Sequence, residues 1–162
     1  MSRIPAEYLR HAMRQWTTGV TIVTTQLGEQ RHGMTVNSFT SLSLEPPLVT
    51  VTLAIGTRTQ MMVEQSGLFG VTILNENQGE ISDRFAGRIP EGADRFAGLE
   101  TFQIHSGVPF IQGGLAYLDC KVVFSYAMQS SKMYIGEVVA IHPGQEGQPL
   151  IYHNRLYHRL EK

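Results

Sequence analysis

The sequence has very little cysteine and almost no net charge. Its 162 residues include one cysteine, Cys120, which excludes an internal disulfide and is typical of a reducing, cytoplasmic location. Cys120 lies in an apolar segment, and this favours a buried structural thiol over a nucleophile. Thirteen basic and fourteen acidic residues leave a net charge of -1, which argues against binding nucleic acid or an anionic membrane through bulk charge.

Long apolar runs are also missing. No stretch approaches the ~20 residues of a membrane-spanning helix, and residues 1–7 lack the apolar core of a signal peptide. We therefore expect no membrane association and no signal peptide. Charged residues make up only 17% of the chain, and there are seven methionines. This composition favours an apolar surface patch covered by self-association, so a homodimer is expected.

Several signatures of well-known sites are absent as well. There is no Gly-x-Gly-x-x-Gly after a strand and no Walker-type loop. The six histidines never show the i, i+4 spacing of a helical metal pair, so no metal site is predicted. Ser38, Ser41 and Ser43 lack the strand–turn–helix context of a nucleophile elbow. We therefore predict no catalytic side chain.

The hydrophobic pattern predicts short helices at three places. Pro5 begins the first, in which Leu9, Met13 and Trp16 share an apolar face. The second is expected at residues 57–65 with Thr57 as its N-cap, and the third within residues 75–87.

Strands dominate the rest of the chain. β-branched or alternating segments predict seven strands, at residues 20–25, 31–37, 48–54, 67–74, 115–126, 133–142 and within 150–157. Residues 88–108 are expected to form a loop. Because the helices do not alternate regularly with the strands, we predict an antiparallel barrel or sandwich, in a single domain of residues 1–162.

Residues 33–47 form a polar segment between two apolar strand candidates, and we expect a loop there. Its hydroxyl and amide groups need partners, because an unpaired buried polar group costs about 1–3 kcal/mol. They can pair with one another and with water, or with a polar ligand.

The segment Thr57-Arg58-Thr59 places an arginine and two hydroxyls at a predicted helix start, which suits an anion. Taken alone, it is better explained by an N-cap beside a solvated arginine. Taken with residues 33–47, it matches the needs of a flavin mononucleotide. The phosphate of that molecule needs an arginine and hydroxyls, and its pyrimidine edge needs N–H donors and amides.

A series of short motifs runs through nearly the whole chain. They occupy residues 18–25, 32–39, 41–49, 67–75, 85–87, 115–120, 135–138, 149–152 and 155–157. In their order and spacing the sequence resembles the short flavin reductases, which are the NAD(P)H:flavin oxidoreductase components of two-component monooxygenases. The resemblance implies a mainly β fold, an antiparallel FMN-binding split β-barrel of Greek-key type with a few short helices, which forms a homodimer.

The resemblance also implies a reaction, a cofactor and a partner. Hydride would pass from NADH or NADPH to FMN or FAD, and the reduced flavin would serve a separate monooxygenase. The isoalloxazine ring and ribityl chain would be lined by Thr35, Val36, Asn37 and Ser38, with Ser41 and Ser43 nearby. Strand backbone would reach the ring from Thr52, Leu53 and Ala54. The phosphate would be held by Thr57, Arg58 and Thr59. Phe85 would pack near the flavin, or have a packing role only.

One position departs from the family pattern. Many members carry Gly-Asp-His five to seven residues before the glycine of the Ile-Gly-Glu-Val motif, and that histidine is associated with the nicotinamide side of the flavin. Counting back from Gly136, this chain has Ser131 there. Lys132 beside it is expected to face solvent on a loop, with contact to a nucleotide phosphate as the alternative.

Two further functions therefore stay open. The protein could be a flavin-binding sensor or electron carrier without efficient NAD(P)H turnover, as the Ser131 departure suggests. It could also be a flavin-free barrel that uses the polar segment to bind a protein partner.

Overall fold

A computed structural model describes residues 4–90 and 92–161. Residues 1–3, which carry part of the expectation about a signal peptide, lie outside the described residues. Residues 91 and 162, which belong to the predicted domain, lie outside them as well.

The described residues form three helices and twelve strands. The helices are α1 (Ala6–Met13), α2 (Arg58–Ser66) and α3 (Gly79–Phe85). The first six strands are β1 (Thr18–Gly19), β2 (Thr21–Leu27), β3 (Gln30–Val36), β4 (Thr40–Leu44), β5 (Pro47–Ala54) and β6 (Leu68–Ile73). The last six are β7 (Thr101–Phe102), β8 (Phe110–Ile111), β9 (Ala116–Ala127), β10 (Ser131–Pro143), β11 (Ile151–His153) and β12 (Leu156–His158).

A seven-stranded sheet forms the body of the protein, with the strand order β3-β2-β6-β9-β10-β5-β4. Every pair of neighbours in it is antiparallel. Two small sheets, β1-β11-β12 and β7-β8, lie beside it. The predicted mainly β, antiparallel fold is confirmed, and all three helices occur where the sequence placed them.

The core follows from alternation along the strands. In β5, Val49, Val51 and Leu53 are buried in one hydrophobic cluster with Phe69 and Tyr134, as period-two patterning predicts. Cys120 belongs to the same cluster and is completely buried, and this burial raises the pKa of its thiol. The predicted structural role of Cys120 is therefore confirmed.

The prediction of a loop is wrong for residues 40–44, which form β4. β3 extends to Val36, and β4 then folds back on β5 through a turn at Glu45 and Pro46. The edge of β5 would otherwise present unpaired backbone groups, so a polar segment is drawn into the sheet in spite of its composition.

Two element boundaries also differ from expectation. The first helix ends at Met13, so Trp16 lies beyond it. The last predicted strand is a hairpin of β11 and β12, which turns at Asn154 and Arg155 with positive φ angles of 47° and 65°. Such left-handed residues allow a tight two-residue hairpin turn.

Candidate functional site

A cavity of about 670 Å³, here called cavity A, lies between β3, the start of α2 and the segment that follows α3. Its polar wall residues are His32, Thr35, Thr57, Arg58, Thr59 and Arg95. Among the described residues its wall contains no carboxylate. The cavity therefore has the charge and the hydroxyl groups that suit an anion.

The start of α2 contributes the anion-binding part of cavity A. Thr57 is the N-cap, and its hydroxyl accepts a hydrogen bond from the backbone N–H of Gln60 and donates one to the carbonyl of Ala54. The predicted cap is thus confirmed. The first N–H groups of a helix have no partner within the helix and favour negative charge. Arg58 adds a guanidinium whose one hydrogen bond to the described residues is a 3.5 Å contact with Gln30.

His32 faces Thr59 across the cavity wall, with 2.8 Å between its Nδ1 and the threonine Oγ1. Burial, with the positive charges of Arg95 and Arg58, lowers the pKa of His32 to about 4. The imidazole is therefore neutral at pH 7, mainly because it is buried and secondarily because two arginines lie near it.

Arg95 fixes the opposite wall. One guanidinium nitrogen donates to the carbonyl oxygens of both Gly33 and Phe85, each at 2.8 Å. Phe85 is fully buried against Phe96 in an edge-to-face pair. A Cβ atom on Gly33 would lie 3.0 Å from the Phe85 ring, so a glycine here lets the wall close tightly.

A hydrogen-bond network holds α2 against β10. The Tyr134 hydroxyl donates to Glu64 at 2.7 Å and accepts from the Gln60 side chain at 2.8 Å. Gln60 in turn accepts from the backbone N–H of Gly56, just before the cap. Burial raises the pKa of Tyr134 to about 12. The network thereby fixes the start of α2 from behind the cavity.

The expectation of a solvent-facing Lys132 on a loop is wrong. Lys132 lies in β10, its side chain is only 18% exposed, and its ammonium pairs with Glu64 at 2.7 Å. This hydrogen bond is the main reason that the pKa of Glu64 is lowered. Antiparallel pairing with β5 extends to Ser131, opposite Ala54, and draws the predicted loop residue into the sheet.

A second cavity of about 720 Å³, here called cavity B, lies between the end of α1, residues 37–40 and the β11–β12 hairpin. Arg10, Arg14 and Arg155 contribute its charge, while Trp16 and Tyr152 contribute aromatic surface. A connecting cavity of about 170 Å³ shares Thr35 with cavity A and shares Asn37 and Tyr152 with cavity B.

The structure brings most of the predicted site residues to these cavities. Cavity A receives Thr35, Thr57, Arg58 and Thr59. Phe85 also borders it, but its side chain is fully buried in the core, as its expected packing role requires. Asn37 lines both the connecting cavity and cavity B, and Ser38 lines cavity B.

The other predicted residues lie elsewhere. The side chains of Val36 and Leu53 are 5% and 0% exposed and belong to the core, so only their backbone can meet a ligand. Thr52 lines none of the three cavities. Its backbone N–H donates to Ser38 Oγ, and its carbonyl oxygen accepts from the same hydroxyl. The remaining residues outside the cavities are Ser41, Ser43 and Ala54.

Residue patterning missed several wall residues. His32 and Met34 lie two apart on β3 and both line cavity A, so strand alternation near the polar segment was the available signal. Arg95 lies in the weakly patterned segment after α3, where no local signal indicates its contacts. The arginines of cavity B meet only because α1 and the β11–β12 hairpin come together in three dimensions.

Within residues 4–90 and 92–161, no helix is long and apolar enough to cross a membrane. In the same residues, no group of three or more His, Cys, Asp or Glu side chains is placed to hold a metal ion.

The sequence is similar to known flavin reductases over nearly its whole length. Residues 13–161 match the family model of the flavin reductase like domain. The reductase component of 4-hydroxyphenylacetate 3-monooxygenase from Thermus thermophilus is 36% identical over 154 residues, covering 95% of this chain and 96% of the relative. An NADH-dependent flavin reductase from Rhodococcus is 36% identical over 157 residues, covering 95% and 86%.

Solved structures show the same fold. Nitrilotriacetate monooxygenase component B from Mycobacterium thermoresistibile superposes with a TM-score of 0.90 at 34% identity, covering 96% of this chain and 87% of the other. The predicted split β-barrel is thereby confirmed. With a family match over almost its whole length and relatives above 30% identity, this chain belongs to the flavin reductase-like family.

Proposed function

We propose that this protein is an NAD(P)H-dependent flavin reductase that supplies reduced flavin to a separate monooxygenase. The observation that carries the proposal is cavity A, where the start of α2, Arg58 and two threonine hydroxyls meet without a carboxylate in the described wall. The similarity to an NADH-dependent flavin reductase and to a monooxygenase reductase component supports it.

The residues present fit a flavin phosphate in cavity A. Thr57, Arg58 and Thr59 would hold it, because a guanidinium and first-turn N–H groups both favour a phosphate. His32 contributes a neutral donor or acceptor beside Thr59. FMN and FAD both carry this phosphate, so the choice between them stays open.

The connecting cavity continues from the phosphate region toward Asn37. We infer that Thr35, Asn37 and Ser38 line the ribityl chain and the ring. The Thr35 hydroxyl is already bonded to the carbonyl of Ser82 at 2.6 Å, which fixes that side chain before a ligand arrives. Contacts from the backbone of Val36, Thr52, Leu53 and Ala54, and from Ser41 and Ser43, belong to the same proposal.

The protein's contribution to the reaction is binding, orientation and exclusion of water. A bound flavin supplies the chemistry, since it accepts a hydride from the reduced nicotinamide. No side-chain acid or base is required for that transfer. The hydroxyls, the Asn37 amide and the arginines orient the two substrates and hold their charges.

We also propose that the protein is a homodimer in the cytoplasm. Large apolar side chains are exposed on three strands of the main sheet, namely Leu42 and Leu44 on the edge strand β4, Val123, Phe124 and Tyr126 on β9, and Val139 and Ile141 on β10. Monomers seldom expose so many apolar side chains. Sedimentation as a monomer at micromolar concentration would contradict the dimer.

Steady-state oxidation of NADH and of NADPH, each with FMN, FAD and riboflavin in turn, tests the function. Flavin-dependent oxidation with at least one combination is expected, and the series identifies the preferred flavin and nucleotide. Oxidation no faster than in protein-free solution with every combination would contradict it.

A further inference from the structure

We propose that Tyr157 is a positioning residue for the flavin, because it holds α3 in place and, through α3, the hydroxyl of Thr35. The inference rests on the proposed function, since it concerns the wall along the ribityl chain and the ring. Tyr157 lies on β12 and borders the connecting cavity together with Thr35 and Ser82.

Helix α3 needs support from the rest of the protein. It has only seven residues, and helices of this length are not stable in isolation. Its N-cap residue, Gln78, makes no capping hydrogen bond with its side chain. Yet α3 contributes Ser82 to the connecting cavity and Phe85 to cavity A. The shape of both walls therefore depends on the contacts that hold α3 from outside.

Tyr157 provides two of these contacts. Its hydroxyl oxygen lies 2.7 Å from Ser82 Oγ and 2.9 Å from Asp83 Oδ1. A phenol has one hydrogen to donate and a carboxylate can only accept, so Tyr157 donates to Asp83 and accepts from the Ser82 hydroxyl. Burial raises the pKa of Tyr157, and the hydroxyl keeps its hydrogen at neutral pH. The ring lies against the start of α3, where a Cβ atom on Gly79 would be 3.6 Å from it.

Thr35 is bonded to the same residue of α3. The carbonyl oxygen of Ser82 accepts a hydrogen bond of 2.9 Å from the N–H of Ala86 within the helix, and one of 2.6 Å from the Thr35 hydroxyl on β3. Ser82 is fully buried. Its hydroxyl is thus held by Tyr157 while its carbonyl holds Thr35, so a shift of α3 would also move the Thr35 hydroxyl.

The direction of the Thr35 hydrogen bond determines what Thr35 can offer a ligand. Because its only hydrogen goes to Ser82, Thr35 Oγ1 can act toward the cavities only as an acceptor. Thr35 borders both cavity A and the connecting cavity. The ribityl chain is a row of hydroxyl donors, and riboflavin, FMN and FAD all carry it. A fixed acceptor at Thr35 therefore suits all three flavins and does not depend on a phosphate.

Fluorescence titration of Tyr157→Phe with riboflavin and with FMN tests the proposal. Both dissociation constants should rise by the same factor of about five, comparable with the loss of one neutral hydrogen bond. The absorbance spectrum of the bound flavin should change, and KM for flavin should rise while kcat changes little. Tyr8→Phe is the matched control, since Tyr8 is exposed and borders neither cavity A, cavity B nor the connecting cavity.

A second variant, Ser82→Ala, removes the hydroxyl that meets Tyr157 but keeps the carbonyl that holds Thr35. It should weaken both flavins in the same proportion. The double variant should bind little worse than Tyr157→Phe alone, because both changes break the same hydrogen bond. Circular dichroism and urea unfolding establish that each variant is folded. If Tyr157→Phe does not fold, the flavin constants of Ser82→Ala decide the question.

Equal weakening of riboflavin and FMN in folded variants, with a changed spectrum of the bound flavin, supports the proposal. Unchanged flavin constants overturn it, even if the free energy of unfolding falls, and make Tyr157 a stabilising residue only. Weakening of FMN alone also overturns it, because the effect would then lie at the phosphate.

Failure of the proposed function gives a different result. A parent protein that binds flavin without oxidising NADH or NADPH refutes the reductase function alone, and the titrations still decide the role of Tyr157. A parent protein that binds neither flavin overturns both the proposed function and this role of Tyr157.

Discussion

Cavities A and B are both lined by arginines, but they differ in how many of their polar side chains already have hydrogen-bond partners. In cavity A, the hydroxyls of Thr35, Thr57 and Thr59 already have partners, and Arg95 bonds to two carbonyl groups. In cavity B, Arg14 Nε and Thr18 Oγ1 are buried and have no partner within residues 4–90 and 92–161. Helix α2 buries four of its residues, whereas α1 buries none.

The difference indicates how each cavity would work. Side chains that are fixed before binding lose little further conformational entropy when the ligand binds. Such a wall suits a site that holds a phosphate. The unpaired atoms beside cavity B leave that wall less firmly fixed. We therefore expect the flavin phosphate to find a site in cavity A that is formed before it binds.

The largest effect on FMN binding in cavity A is expected from Arg58→Ala. Removing one charge-assisted contact to phosphate, worth about 1.5–3 kcal/mol, should raise the FMN dissociation constant roughly tenfold to a hundredfold. Riboflavin, which lacks the phosphate, should bind as before. Fluorescence titration with both flavins measures this, with Arg159→Ala as the control. An unchanged FMN constant would refute the phosphate role of Arg58.

A smaller effect should follow from Tyr134→Phe. The change removes the hydroxyl that joins Glu64 to Gln60 behind cavity A, at about 1 kcal/mol of unfolding free energy. The start of α2 should loosen, so FMN affinity should fall by a few fold and riboflavin affinity should not. Urea unfolding and flavin titration check both parts.

The exposed Tyr8 on α1 offers the matched control, Tyr8→Phe. If Tyr134→Phe weakened FMN and riboflavin equally, the network would stabilise the fold without positioning the phosphate site.

The pH dependence of stability should reveal the burial of His32 beside the arginines of cavity A. The pKa of His32 is about 4 in the folded protein, against 6.5 for a histidine in an unfolded chain. As pH falls below 6.5, the unfolded chain takes up this proton first, so stability is lost between pH 6.5 and about 4. Bound FMN should reduce the loss, because its phosphate offsets the charges of Arg58 and Arg95.

Urea unfolding at a series of pH values measures this effect. His32→Gln should flatten the profile over that interval, and the exposed-site replacement His11→Gln should leave it as it is. A profile that His32→Gln does not change would remove His32 as the cause.

The smallest effect on stability is expected from Arg14→Gln without ligand. Since Arg14 Nε has no partner, its loss should change the unfolding free energy by less than about 0.5 kcal/mol. If Arg14→Gln lowered the unfolding free energy as much as Tyr134→Phe does, the side chains of cavity B would be held by hydrogen bonds as firmly as those of cavity A. The difference between the two cavities would then be refuted.

Much of the fold could be predicted from patterns among neighbouring residues. The alternation of β5 and the Thr57 cap depend on neighbouring residues, and both occur as predicted. β4 was missed because its pairing with β5, not its own composition, makes it a strand. The other four unpredicted strands, β1, β7, β8 and β12, have only two or three residues each, too few to show a period.

The site was predictable only in part, for the same reason. Thr35 and the Thr57-Arg58-Thr59 segment are contiguous polar residues, and motif order drew attention to them. Arg95, Arg14 and the Lys132–Glu64 pair act through partners far away in the chain. Neither periodicity nor spacing can indicate such contacts before the strands are paired.

Anaerobic stopped-flow mixing of the FMN-loaded protein with NADH tests the central claim most directly. We expect the visible absorbance of the flavin to bleach in a phase much faster than in protein-free solution. Persistence of that absorbance in protein that demonstrably binds FMN and NAD⁺ would contradict a reductase, and would leave a flavin-binding sensor or electron carrier.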